Sequence, residues 1–217
     1  MKNIEYIQSK YVNKFQEIFI NTFGAESLNS NSVKREELFK FSKQKLFLKL
    51  YFSLINDIVN KLNLRKDNLI LQPKVTIRNF AINSHGTSFH TDYLYGHGEK
   101  SKTIWVPLYG LSKGNSFYII NENCINKFSS EDLTINYNKN MEKNILKNSF
   151  EVDLEENTCL VFNSNIIHGS PKNVSKKVRY SFDFRIGYLD DITSTKKTNN
   201  YFIFENKQWV KQKNIFK

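Results

Sequence analysis

Apolar side chains near the start of the chain recur at three- and four-residue intervals. Ile4, Ile7, Tyr11, Phe15 and Ile18 therefore fall on one side of a predicted helix. A second helix is predicted from about Val33 to Leu62, where Leu38, Phe41, Leu46, Leu50, Leu54 and Ile58 make an apolar face broad enough to cover a sheet. Gly24 and the polar run Asn29-Ser30-Asn31-Ser32 separate the two, with Ser32 available as an N-cap. From Leu69 the texture changes to short runs rich in Val, Ile, Phe, Tyr and Thr, divided by Gly, Asn and Ser clusters. The predicted strands are Leu69 to Ala81, Ser88 to Tyr95, Thr103 to Tyr109, Ser116 to Ile120, Cys159 to Phe162, Val178 to Ile186 and Tyr201 to Phe204. Such a set suits a jelly roll or barrel with the N-terminal helices packed on one sheet face, a mainly β, α+β architecture. The segment 123–148 lacks clean periodicity and reads as an insertion, a candidate lid with a short helix after Ser129-Ser130-Glu131.

A chain of 217 residues with 40% hydrophobic and 14% aromatic content fits a single domain. Within 1–217, the helices occupy 1–65 and the jelly-roll core 69–205. The N-terminal stretch has no uncharged apolar run of signal-peptide type and nothing later is long enough to span a membrane, so a cytoplasmic protein with no membrane partner is expected. Cys124 and Cys159 have neither disulfide-framework nor zinc-like spacing. The net charge of +11 comes from lysines scattered among asparagines. That reads as the codon bias of an AT-rich genome rather than as a nucleic-acid surface, and the aromatics belong to strands rather than to a base-stacking platform. A small-molecule partner is expected; oligomeric state is not legible.

The chemistry concentrates in three places. His90-Thr91-Asp92 puts an imidazole and a carboxylate at i and i+2, which on a strand project to one face and can meet one ion. His168, in the turn-like Asn165-Ile166-Ile167-His168-Gly169-Ser170-Pro171, follows an apolar strand and can return over the barrel mouth. Two histidines and one carboxylate form the facial triad of non-haem Fe(II) oxygenases, with positions left open for a keto acid and dioxygen. The strand from Val178 to Ile186 alternates: Val178, Tyr180, Phe182, Phe184 and Ile186 on one face, Arg179, Ser181, Asp183 and Arg185 on the other. Charges inside a small barrel are costly unless partnered. The carboxylate of a co-substrate is such a partner, clamped bidentately by Arg179, with Arg185 the runner-up, and hydrogen-bonded by Ser181.

His90-x-Asp92, then His168, then Arg179-x-Ser181 resembles the Fe(II)/2-oxoglutarate-dependent dioxygenase superfamily, whose fold is the double-stranded β-helix of cupin-like jelly rolls. Tyr95-Gly96-His97, Trp105-Val106-Pro107-Leu108 and the segment Arg179 to Arg185 add a similarity to bacterial StrG-like and phytanoyl-CoA-hydroxylase-like members. The resemblance covers roughly residues 75 to 187. It implies Fe(II), 2-oxoglutarate and O2 as cofactor and co-substrates, release of succinate and CO2, and hydroxylation of an unactivated C–H bond in a small biosynthetic molecule such as a sugar, amino acid or secondary-metabolite intermediate. With Asp92 present, halogenation is not implied. The resemblance also gives Thr103 a possible hydrogen bond to the keto acid. Tyr95, His97 and Arg78 are candidates for substrate contact, Arg78 equally for a structural ion pair, and His85 is read as a loop histidine. Two other readings stand beside this one: a cupin-type metalloenzyme that does not use 2-oxoglutarate, and a non-catalytic polyanion-binding jelly roll.

Overall fold

In the computed structural model, which describes residues 3–191, 201–206 and 208–211, strict alternation organises the protein around one long strand. Of the described strands, this strand, β9 (Arg179–Tyr188), pairs along one edge with β4 (Lys102–Tyr109), and its other edge is shared by β3 (Thr76–Phe80) and β2 (Leu69–Leu71). Outward from β4 come β7 (Thr158–Asn163) and β1 (Ile4–Gln8). Outward from β2 come β10 (Phe202–Glu205) and, paired with it, β11 (Gln208–Lys211). Every pairing in this sheet is antiparallel. A second, three-stranded antiparallel sheet runs β6 (Ser149–Glu151), β5 (Tyr118–Ile120), β8 (His168–Gly169).

Period-two alternation gives the large sheet two different faces. Ile104, Val106, Cys159, Val161, Tyr180, Phe182 and Phe184 join one core with the helices, whereas Trp105, Leu160 and Phe162 join another with Phe117 and Ile119 from the small-sheet side. The result is helix, large sheet, small sheet: a double-stranded β-helix with helices on one face and no closed barrel. The helical layer is α1 (Lys10–Phe23), α2 (Ala25–Asn29), α3 (Arg35–Phe41) and α4 (Lys45–Lys61). Aromatic edges lock it down: Phe15 and Phe47 meet Phe182 at ring-centroid distances of 5.0 and 5.5 Å. Among the described residues no helix is long and apolar enough to cross a membrane.

Several expected elements differ. Ile4 and Ile7 belong to β1, because Ser9 accepts a hydrogen bond from the Tyr11 amide and starts α1 only at Lys10. The single helix expected from Val33 to Leu62 is two, broken at Ser42–Gln44, where Ser42 Oγ turns back to donate to the Phe39 carbonyl. Its N-cap is Lys34, not Ser32. The run from Leu69 to Ala81 divides into β2 and β3, and the run from Ser88 to Tyr95 is not a strand: His90 makes one isolated bridge and Tyr93–Tyr95 is a 3-10 turn. In 123–148 the helix is α5 (Lys139–Lys147), started by Asn138, whose side chain accepts from two amides; the Ser129 side chain closes a local turn with Asp132 instead. Ile145 and Phe128 of this insertion pack into the second core.

Candidate metal and co-substrate site

The two candidate imidazoles are fixed by the small sheet. His168 on β8 lies opposite Ile119, and its other side exchanges backbone hydrogen bonds with His90, His90 N–H to His168 O at 3.0 Å and His168 N–H to His90 O at 2.9 Å. The rings consequently sit 4.3 Å apart between centroids. In each, Nδ1 lies against a backbone carbonyl, Ser88 O at 2.7 Å for His90 and Ile166 O at 2.8 Å for His168. With Nδ1–H donating there, each Nε2 keeps its lone pair for an ion. His168 is therefore a strand residue, not a turn residue, and its ring is wedged between Phe117 and Phe162.

Asp92 arrives differently. The expected strand ends before it: Asp92 has φ −66° and ψ −25° and begins the 3-10 turn, so its carboxylate swings to the large sheet. There Arg185 of β9 donates Nε to Oδ2 at 3.0 Å and Nη2 to Oδ1 at 2.7 Å, and Thr103 of β4 donates its hydroxyl to Oδ2. Ligand atoms of His90, Asp92 and His168 all lie within 4.8 Å of one another, and the three residues are buried. The cluster lies between the two sheets, its imidazoles fixed by the small one and its carboxylate held by residues of the large one.

Electrostatics follow from this burial. Burial disfavours the ionised form of Asp92, yet the Arg185 guanidinium, helped by His168 and by hydrogen bonds from Arg185 and Thr103, outweighs it and holds the carboxyl well below its usual range. Burial, then the neighbouring His90, pushes His168 down to about 3, and burial also lowers His90. Ionised carboxylate and neutral imidazoles are the protonation states that bind a divalent transition metal.

On the same face of β9, Arg179 is 2% exposed and has no carboxylate partner among the described residues. Nη1 donates to the Asn115 carbonyl, Nη2 to Ser170 Oγ at 3.3 Å, and the guanidinium lies between the rings of Phe80 and Trp105 at 4.7 and 5.3 Å. Burial, followed by the nearby Arg78, lowers its pKa to about 9. Arg179 Nε and, two residues on, Ser181 Oγ are buried without a hydrogen-bond partner. Unsatisfied buried donors side by side on one face, one of them cationic, fit an absent carboxylate. His90, His168, Trp105, Phe117, Ser170, Arg179 and Arg185 line one pocket, so Arg179 and the two candidate imidazole ligands share a cavity.

The fold resembles solved structures. A non-heme monooxygenase, the ThoJ–Ni complex, superposes with a TM-score of 0.58 at 10% identity, covering 96% of this chain and 81% of that one. EctD from S. alaskensis with bound Fe gives 0.59 at 12% identity, with 87% and 74% covered. The epimerase SnoN in complex with Fe3+, alpha ketoglutarate and nogalamycin RO gives 0.54 at 13%, with 89% and 82% covered. The likeness is one of fold. No family model and no curated protein matches the sequence.

The remaining candidates separate. Arg185, runner-up for the keto-acid clamp, is engaged with Asp92 and Asp183, and Thr103 with Asp92, so both hold the carboxylate while also lining the pocket. Arg78 forms the ion pair that was its alternative, Nε to Asp183 Oδ1 at 2.8 Å, while also lining the pocket. Tyr95 is 59% exposed with its ring 5.3 Å from His90. His97 is half-buried, its amide donating to the Asp92 carbonyl at 3.3 Å. His85 lies in an exposed loop bridged to Lys172. Sequence reasoning missed Ser170 and Asn115. Ser170 was findable, standing at i+2 from His168; Asn115 acts through its backbone carbonyl, which no side-chain pattern reveals.

Proposed function

We propose that this chain is an Fe(II)- and 2-oxoglutarate-dependent oxygenase, a single catalytic domain of the cytoplasm closest in motif to StrG-like and phytanoyl-CoA-hydroxylase-like enzymes. The observation that carries the reading is a buried His-Asp-His cluster whose two imidazoles line one pocket with Arg179, a buried arginine whose Nε lacks a partner, as does Ser181 Oγ two residues on along the same strand face. The structural neighbours support it: EctD has been solved with Fe and with 2-oxoglutarate, SnoN with Fe3+ and alpha ketoglutarate.

In this reading His90, Asp92 and His168 hold the metal, and Arg179 with Ser181 holds the distal carboxylate of 2-oxoglutarate. The bound iron and keto acid supply an oxidant from O2, with succinate and CO2 as by-products, able to hydroxylate an unactivated C–H bond. The chain's own contribution is positional. Backbone carbonyls of Ser88 and Ile166 fix the imidazole tautomers, and Arg185 and Thr103 keep Asp92 ionised and aimed. Trp105, Phe117 and Phe162 keep water from the pocket's inner wall. The substrate is a small biosynthetic molecule approaching past Tyr95, His97 and Arg78. Aerobic incubation with Fe(II) and 2-oxoglutarate, reading succinate by mass spectrometry, tests this: wild type releases succinate and His168→Ala does not. A metal-dependent reaction without succinate would favour a cupin-type enzyme and overturn the reading.

A further inference from the structure

The pocket lined by His90, His168 and Arg179 does not end at Arg179. Arg78, Thr87, Ser170 and Arg179 line both it and an outer cavity of about 370 Å³. The outer walls include Arg35 from the first turn of α3, Thr76 from β3, and His85 and Gly86 from the following loop. No Asp or Glu is among its lining residues, in a chain with 21 of them. Three arginines around one cavity with no carboxylate in its lining form a positive concavity, which low-dielectric walls intensify.

Arg78 sits at the junction. It lies opposite Ser181 in the β3–β9 register, and only its Nε is engaged, with Asp183. The side chain is 40% exposed, and its two terminal nitrogens have no hydrogen-bond partner among the described residues. Arg35 is exposed and forms no ion pair among those residues. Arg78 and Arg179 are close enough for the first to disfavour the charge of the second. Asp183 is shared by Arg78 and Arg185, so it does not offset this repulsion fully. An oxyanion in the outer cavity would, and a guanidinium fork suits one.

We propose that the outer cavity binds the anionic group, a carboxylate or a phosphate, of the primary substrate, with Arg78 and Arg35 as its recognition residues. The substrate is then a small anion whose charged end docks outside Arg179 while the remainder extends past Arg78 toward the His-Asp-His cluster. This rests on the oxygenase reading only for calling the ligand a substrate; the anion site itself is independent of it.

The test uses inorganic phosphate and acetate as probes, titrated calorimetrically at constant ionic strength against chloride. It is run on metal-free protein and on protein loaded anaerobically with Fe(II) and saturating 2-oxoglutarate. Wild type is expected to bind at least one probe in both forms, with the affinity reduced ~5-fold or more in Arg35→Gln and in Arg78→Gln. Lys66→Gln, which removes the same charge outside the cavity, should leave the affinity unchanged. Stronger binding of phosphate or of acetate identifies which oxyanion the substrate carries. No saturable binding of either probe, or equal affinity in wild type and Arg35→Gln, overturns the proposal even where the keto acid binds. Conversely, cavity-dependent phosphate binding by a protein that takes up no keto acid keeps the anion site and removes the oxygenase reading.

Discussion

From the large sheet, Arg185 grips both oxygens of the Asp92 carboxylate, at 3.0 and 2.7 Å. A planar fork can do this and an ammonium cannot. Arg185→Lys keeps the charge but loses the bidentate hold, so Fe(II) affinity should fall by about 10- to 100-fold, measured by anaerobic titration. An unchanged affinity would mean that Arg185 merely neutralises Asp92.

Arg179 and Ser181 should separate keto-acid binding from metal binding. Arg179→Lys is expected to weaken 2-oxoglutarate by roughly 10- to 100-fold, the loss of a charge-assisted fork, with Fe(II) affinity unaffected. Ser181→Ala removes a hydroxyl that is unpartnered without ligand. Its unfolding free energy should therefore stay within about 0.5 kcal/mol of wild type while 2-oxoglutarate weakens several-fold. Denaturant titrations beside keto-acid binding curves would check both halves.

Phe182 tests the other side of the large sheet, where it meets Phe15 and Phe47. Phe182→Ala should cost about 3–5 kcal/mol in urea unfolding through the cavity it leaves. Because its neighbours Ser181 and Asp183 point to the opposite face, the folded fraction should still bind Fe(II).

The two cysteines should differ in reactivity. Cys159 is fully buried, and burial, the foremost cause, pushes its thiol up to about 12, so almost no thiolate exists at neutral pH. Cys124 is half-buried. An aromatic disulfide reagent at pH 8 should label Cys124 in the native protein and Cys159 only after unfolding in guanidinium. Rapid native labelling of Cys159 would contradict the packing of β7 against β1.

What the sequence made legible was residue type and alternation. Arg179, Ser181, Asp183 and Arg185 do share a face, because a strand buried on both sides has no other way to separate charged from aromatic side chains. The proximity of His90, Asp92 and His168 was also expected, but for a partly mistaken reason: Asp92 leaves the strand and reaches the cluster by a turn. Contacts across long separations were hidden. Arg185 and Asp92 are 93 residues apart, and either aspartate within reach could have taken the arginine. At the N-terminus, Ile4 and Ile7 fit a helical spacing that the Ser9 cap and the open edge of β7 override. Pairing with a sheet edge is a tertiary gain that a local pattern does not encode.

The most direct measurement is anaerobic addition of 2-oxoglutarate to the Fe(II)-loaded protein, followed by visible absorption. The account predicts a metal-to-ligand charge-transfer band in wild type, its loss in His168→Ala, and a need for higher 2-oxoglutarate in Arg179→Lys. A wild-type protein that gives no band, and consumes no 2-oxoglutarate when air is admitted, would contradict it.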